Sequence, residues 1–231
     1  MSTMTKRSKR YREAAARVDG TQIYSAQEAL EILKSLPGPK FDETVEVAVR
    51  LGIDPRKSDQ LVRGAVSLPK GLGKKVTVVV FAEGDKAEAA KAAGADEVGS
   101  EDLYEKINGG WMDFDVVIAS PDMMKHVGKL GKVLGPQGKM PSPKSGTVTP
   151  DVGQAVTDFK AGKVEFRTDA GGNVHAPVGK RSFSTEDLLT NLNAFLNHLM
   201  GMRPPAVKGI YIRRVSVSTT MGPGAYIDFG G

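Results

Sequence analysis

The most unusual chemistry in the sequence lies in a glycine- and lysine-rich segment, residues 123–150. This segment carries five lysines and five glycines but no Asp or Glu. Glycines let backbone amides approach a phosphate closely, and lysines without acidic neighbours release counterions when they bind a polyanion. The composition is equally typical of phosphate contacts and of a flexible, solvated loop, and we keep both interpretations open.

A second candidate is the turn at residues 219–224, between two β-rich runs near the end of the chain. Threonine hydroxyls bond phosphate or a ribose 2′-hydroxyl, Gly222 allows close backbone approach, and Met221 offers an apolar contact to a base or sugar. Alone, this segment is typical of an ordinary turn. It gains weight from polar strand faces expected on the same sheet surface. Their residues are Phe41, Thr44, Glu46, Arg167, Asp169 and His175.

Fingerprints of nucleotide-binding enzymes are missing from the sequence. The turn after the apolar run 76–81 has one glycine, Gly84, and places acids where a pyrophosphate would sit. The stretch 135–139 is only superficially like a P-loop, because Met140 stands where a hydroxyl should bind magnesium. We therefore set nucleotide binding aside.

Other catalytic and metal-binding patterns are equally absent from the sequence. There are no cysteines, no nucleophile-elbow motif, and the three histidines share no metal-ligand spacing. We expect no catalytic residues, no metal site and no cofactor. The sequence thus predicts that the protein is not an enzyme.

The composition is that of a globular protein with a basic surplus. Thirty-two Lys and Arg against 27 Asp and Glu give a formal charge of +5 and a pI near 9.3, which favours polyanionic partners. No run of about 18 apolar residues occurs, and cysteine is absent. We expect a soluble, cytoplasmic protein with no membrane partner.

The elements that must position these residues follow two patterns. Residues 41–51 alternate polar and apolar side chains, which predicts a half-buried strand, and residues 185–200 predict an amphipathic helix. From residue 75 onward, continuous apolar β-runs alternate with helices, as in a parallel α/β domain. The half-polar β character returns after about residue 160.

We therefore predict an α/β protein with a discontinuous first domain. Residues 1–70 and 161–231 would form an α+β domain, and residues 71–160 a Rossmann-like parallel α/β domain inserted into it. The polar strand face and the 219–224 turn belong to the first domain. The glycine- and lysine-rich segment belongs to the second.

Four segments carry a family resemblance. They are PKFDETVEVAVRLGIDPRKSDQLVRG (39–64), GKLGKVLGPQGKMPSPKSGTV (128–148), KVEFRTDAGGNVHAPVGKRSF (163–183) and STTMGPG (218–224). Together they resemble bacterial members of the ribosomal protein "L-one" family, found in the stalk of the large subunit beside the tRNA exit site. The segments occur in the family's order, and the resemblance covers nearly the whole chain.

The resemblance implies a non-enzymatic component of the large ribosomal subunit. It implies that the first domain binds large-subunit ribosomal RNA, that the protein assists release of exit-site tRNA, and that it represses its own operon by binding the messenger RNA. Carried over by motif, the RNA-binding residues are Lys40, Phe41, Thr44, Glu46, Arg167, Asp169, His175, Ser218, Thr220, Met221 and Gly222. The further candidates for RNA or tRNA contact are Lys129, Lys132 and Lys139. Other ribosomal components are expected partners, and we expect a monomer away from the ribosome.

Two alternatives accompany this interpretation. A small-molecule enzyme built on the parallel sheet would require a glycine fingerprint and converging titratable groups, which the sequence lacks. A free-standing translational repressor, with no place on the ribosome, is not distinguishable from a ribosomal protein by sequence.

Overall fold

The computed structural model of the chain describes residues 7–229, and these form ten β-strands and eight α-helices. The strands are β1 (Ile23–Tyr24), β2 (Thr44–Leu51), β3 (Arg63–Ser67), β4 (Val78–Phe81), β5 (Glu97–Gly99), β6 (Val116–Ala119), β7 (Lys163–Arg167), β8 (Asn173–Lys180), β9 (Ile212–Thr219) and β10 (Gly224–Ile227). The helices are α1 (Lys9–Ala16), α2 (Ala26–Ser35), α3 (Asp85–Ala92), α4 (Glu101–Asn108), α5 (Met124–Lys129), α6 (Gly131–Leu134), α7 (Val152–Ala161) and α8 (Thr185–Gly201). Across residues 7–229, no helix is both long and apolar enough to cross a membrane.

The chain divides into two compact units. Within the described residues, the first unit contains 7–62, 68–73 and 166–229, and the second contains 63–67 and 74–165. The sequence predicts residues 63–67 and 161–165 in the first domain and residues 71–73 in the second, and the units differ at these three segments. The segment 63–67, β3, contacts the 3-10 turn Pro143–Ser145, and Arg63 forms an ion pair with Glu165 at 2.7 Å, so it groups with the second unit.

An open five-stranded sheet in the order β1-β10-β9-β2-β8 forms the centre of the first unit. Helices α2 and α8 contact each other and pack on strands of this sheet. The predicted alternation of β2 is confirmed, since Val45, Val47 and Val49 are at most 1% exposed. A capping box of Ser25 and Glu28 begins α2, as the sequence predicts.

Helix α8 supplies much of the apolar layer against this sheet. Its buried residues include Leu188, Leu192, Phe195, Leu196 and Leu199. Asn191 is also buried, and its amide bonds Lys70 N, Gly71 O and Val178 O at 2.8–3.0 Å. The buried amide of Asn191 is thus satisfied.

A three-stranded parallel sheet in the order β5-β4-β6 forms the centre of the second unit. All four residues of β4 are fully buried, as predicted for a strand covered on both faces. One apolar cluster joins this sheet to α4, α5 and α6, and another joins it to α3 and α7. The predicted α/β fold class is confirmed.

Candidate nucleic-acid interface

The outward face of the five-stranded sheet brings together side chains from β2, β8, β9 and β10, and we call it the polar face. β2 lies between β8 and β9, antiparallel to both. Glu46 lies opposite Ser218 of β9, and Ala48 lies opposite His175 of β8. Directly opposite residues have β-carbons about 5 Å apart. Residues that are far apart in the sequence therefore form one continuous polar surface.

The turn that follows β9 is joined to the start of β2 by hydrogen bonds. The backbone N–H of Thr44 donates to the Thr220 hydroxyl at 3.0 Å, and the backbone N–H of Thr220 donates to the Thr44 carbonyl at 3.1 Å. The Lys180 ammonium donates to the Thr44 hydroxyl at 3.0 Å. The Thr220 hydroxyl thus positions the turn, a role that the sequence did not indicate.

Met221 and Gly222 form the exposed tip of this turn. Met221 is 50% exposed, so its apolar side chain is open to a partner. A β-carbon added to Gly222 would lie 2.3 Å from the Thr219 hydroxyl oxygen, so only glycine fits without movement. The turn therefore presents an apolar side chain beside a stretch of accessible backbone.

A buried ion pair beneath the turn was not predicted from the sequence. Glu43 is 2% exposed, and its carboxylate accepts from Arg181 Nη1 at 2.8 Å and from the backbone N–H of Met221 at 2.9 Å. Arg181 also donates to the carbonyls of Lys34 and Leu36. The signal was present: Glu43 is in phase with the inward valines of β2, an unusual position for a carboxylate.

Lys40 and Phe41 immediately precede β2, at the end of the strand that receives the turn. Both are exposed, and Phe41 is 55% exposed. An exposed aromatic ring offers a stacking surface for an unpaired base. The structure thus places a cation, a ring and the Met221 tip at the same end of the first unit's sheet.

Asp169 and His175 form a smaller group on β8 and its preceding turn. Asp169 accepts hydrogen bonds from the backbone N–H groups of Gly171 and Asn173 at 2.8 and 2.7 Å. Burial raises the pKa of Asp169, but the bonds from Asn173 and Gly171 outweigh it and hold this pKa below its ordinary value. His175 Nε2 lies 3.6 Å from the Asp169 carboxylate. Arg167 is exposed at the end of β7, which pairs with β3 in a separate two-stranded sheet, so it does not lie on the polar face, although the sequence predicts it there.

The lysine candidates Lys129, Lys132 and Lys139 belong to the second unit. Lys129 ends α5 and Lys132 lies in α6, and both are exposed. Lys139 differs, because its ammonium donates to the carbonyls of Met112 and Phe114 at 3.2 and 2.6 Å and lies 4.8 Å from the Phe114 ring centroid. The Lys139 ammonium therefore makes its contacts within the unit, whereas Lys129 and Lys132 present their charges at the surface.

Metal coordination has no visible basis in this part of the molecule. Within residues 7–229, no group of three or more His, Asp or Glu side chains is placed to bind a metal ion.

Comparison with known proteins identifies relatives along nearly the full chain. The sequence model of a family described as "Ribosomal protein L1p/L10e family" matches residues 32–223. A protein of Cutibacterium acnes named "Large ribosomal subunit protein uL1" is 57% identical over 223 residues, covering 96% of both chains. Proteins of the same name from Kosmotoga olearia and Pediococcus pentosaceus are 56% and 54% identical and cover 97% and 98% of this chain, and 97% and 99% of their own.

These matches confirm the resemblance carried by the four sequence segments. They also confirm that the protein is not an enzyme, since the relatives are named as ribosomal proteins. At more than half identity across almost all of both chains, the chain belongs to the ribosomal protein L1p/L10e family.

Proposed function

We propose that this chain is a structural component of the large ribosomal subunit and binds large-subunit ribosomal RNA through the polar face. Its family membership supports a place on the cytoplasmic ribosome, and its basic charge of +5 suits a polyanionic partner. The observation that carries the proposal is the turn at Met221, because hydrogen bonds to the Glu43 carboxylate and from the Thr44 N–H fix an exposed apolar tip.

The polar face suits recognition of a folded RNA by shape. Glu46 and Ser218 lie opposite each other and supply an acceptor and a hydroxyl for ribose 2′-hydroxyls or base amino groups. Lys40 and Arg167 supply cations for phosphates, and Phe41 supplies a ring for stacking. Because Glu46 and Ser218 lie on strands and Met221 lies on a fixed turn, these groups lose little conformational entropy when RNA binds.

The test is binding to the stalk fragment of large-subunit RNA at moderate salt, with a scrambled RNA of equal length as competitor. We expect the chain to prefer the stalk fragment, and we expect Met221→Ala and Thr220→Val each to weaken that preference roughly tenfold, about 1.4 kcal/mol. Met202→Ala, which truncates a partly buried methionine after α8, is the matched control. If both turn variants kept the preference for the stalk fragment, the polar face would not be the surface that recognises the RNA.

For the second unit we propose contact with exit-site tRNA that assists its release from the ribosome. The exposed lysines Lys129 and Lys132 lie in a segment without carboxylates, and they suit a phosphate backbone. Lys139 contributes by supporting the unit internally. Cross-linking of these positions to tRNA on purified ribosomes tests this assignment, and a pattern confined to protein neighbours would contradict it.

We further propose that the polar face binds the messenger RNA of the protein's own operon and represses its translation. A surface that recognises RNA by shape accepts a messenger segment folded like the ribosomal site. Competition between the stalk fragment and the operon leader tests this: one shared site predicts mutual displacement, and independent binding contradicts it.

A free-standing repressor is separated from a ribosomal component by sedimentation. We expect the chain to remain with large subunits, beside other ribosomal components, after a salt wash, and to sediment as a monomer when purified alone. A chain found only in ribosome-free fractions would favour the repressor alternative.

A further inference from the structure

The far end of the polar face carries a pair of arginines directly opposite each other. Arg50 of β2 lies opposite Arg214 of β9, six residues along the strand from Thr44, which corresponds to roughly 20 Å. Both side chains are exposed, and neither forms an ion pair within 4.0 Å with a carboxylate of the described residues. Like charges directly opposite in a sheet are destabilising.

A register shift between β2 and β9 adds a further positive charge at this end of the sheet. β2 and β9 are in register from Glu46 to Arg50, but Leu51 pairs with Ile212, which leaves Arg213 as an extra residue between the two pairs. Such a bulge redirects a side chain and is common beside functional sites. Arg213 is exposed as well, so three arginines lie at this end of the sheet.

An aromatic ring and a cavity lie beside the arginines. The Arg214 guanidinium carbon lies 4.8 Å from the centre of the Tyr226 ring, which fixes the guanidinium plane on the polar face. Tyr226 pairs with Ile23 of β1, which is 66% exposed. A cavity of about 520 Å³ is lined by these residues and by Arg213 and Asp228. Asp228 forms no ion pair with either arginine.

We propose that Arg50, Arg213 and Arg214 form a second RNA subsite that binds phosphates of the same RNA, independent of base sequence. This subsite rests on the proposed function of the polar face and extends it along β2. Its physical basis is charge complementarity: a phosphate between Arg50 and Arg214 removes their mutual repulsion and supplies each guanidinium with an acceptor. The cavity beside Tyr226 gives room for the nucleotide attached to that phosphate.

The test compares Arg50→Gln/Arg214→Gln with the unaltered chain on the stalk fragment and on the scrambled RNA across a salt series. We expect both affinities to fall by a similar factor, roughly tenfold at moderate salt, and the slope of log affinity against log salt to decrease by about one for each arginine. The melting temperature should change little, since removal of a repulsive pair offsets the loss of the contact between Arg214 and the Tyr226 ring. Lys91→Gln, an exposed charge of α3 in the second unit, is the control and should leave the slope unchanged.

The outcomes separate this subsite from the proposed function. If the unaltered chain does not distinguish the two RNAs, the specific polar-face function fails, while an equal loss in the double variant still supports a phosphate subsite. If the chain distinguishes them and the double variant keeps its affinity and slope, the subsite is refuted and the arginines serve a different partner, such as an acidic protein segment. A loss confined to the stalk fragment would also refute it, because that result means base-specific recognition.

Discussion

The polar face and the glycine- and lysine-rich segment 123–150 both suggest RNA contact in the sequence, yet they are built differently. On the polar face, mixed charges and an apolar tip lie on strands and on a turn fixed by the buried carboxylate of Glu43. In the segment, Val127, Leu130 and Leu134 are buried. The lysines lie in the short helices α5 and α6, in the 3-10 turn Pro143–Ser145, or, for Lys139, in irregular backbone. The polar face therefore holds several kinds of chemical group in fixed positions, whereas the segment presents positive charge alone.

The polar face and the segment therefore differ in what they are able to recognise. Base edges and ribose hydroxyls are distinguished by donors and acceptors at fixed positions, whereas isolated lysines bind phosphates of any sequence. We therefore expect specificity to depend on the polar face, and a salt-dependent, uniform contribution to come from Lys129 and Lys132.

Among the variants that test the comparison of the polar face with the segment, Glu43→Ala should have the largest effect on stability and binding. Removing the buried carboxylate leaves Arg181 without its ion-pair partner and frees the Met221 N–H. We expect the free energy of unfolding to fall by about 3 kcal/mol, measured by urea denaturation with circular dichroism. Specific RNA binding should fall with it, because the turn is no longer fixed.

Glu46→Ala is the matched control for that experiment. Glu46 lies three residues further along the chain, in β2, and it is exposed on the polar face. We expect nearly unchanged stability and weaker specific binding. Equal stability losses in the two variants would contradict the distinction between a supporting and a contacting carboxylate.

A smaller effect is expected from Gly222→Ala. The new β-carbon would meet the Thr219 hydroxyl oxygen at 2.3 Å, so the turn must shift. We expect a loss of about 1–2 kcal/mol in stability and a reduced preference for the stalk fragment over scrambled RNA. Gly224→Ala is the control, since the nearest atom to its added β-carbon lies at 3.8 Å. Equal RNA preference in both variants would mean that turn geometry does not decide recognition.

The sequence predicts local patterns well and long-range pairings poorly. The alternation of β2 and the capping box of α2 depend on neighbouring residues, and both are confirmed. The pair of Glu43 and Arg181 joins positions 138 residues apart, so no local pattern indicates the partner. Similarly, Lys139 looks like Lys132 in composition, and only the fold turns it toward the carbonyls of Met112 and Phe114.

The smallest effect is expected for Lys129→Gln/Lys132→Gln, measured as affinity for deacylated tRNA across a salt series. Two phosphate contacts contribute a few-fold change at moderate salt, and the salt slope should decrease by about one for each lysine without altering the preference for stalk RNA. Lys139→Gln is the contrasting variant. Because its ammonium bonds two carbonyls and lies over a ring, its loss should lower the melting temperature and leave the salt slope unchanged. If the salt slope of tRNA binding changed in Lys139→Gln and not in the double variant, the roles of these lysines would be reversed. Lys139 would then contact the tRNA, although its ammonium bonds carbonyls within the unit.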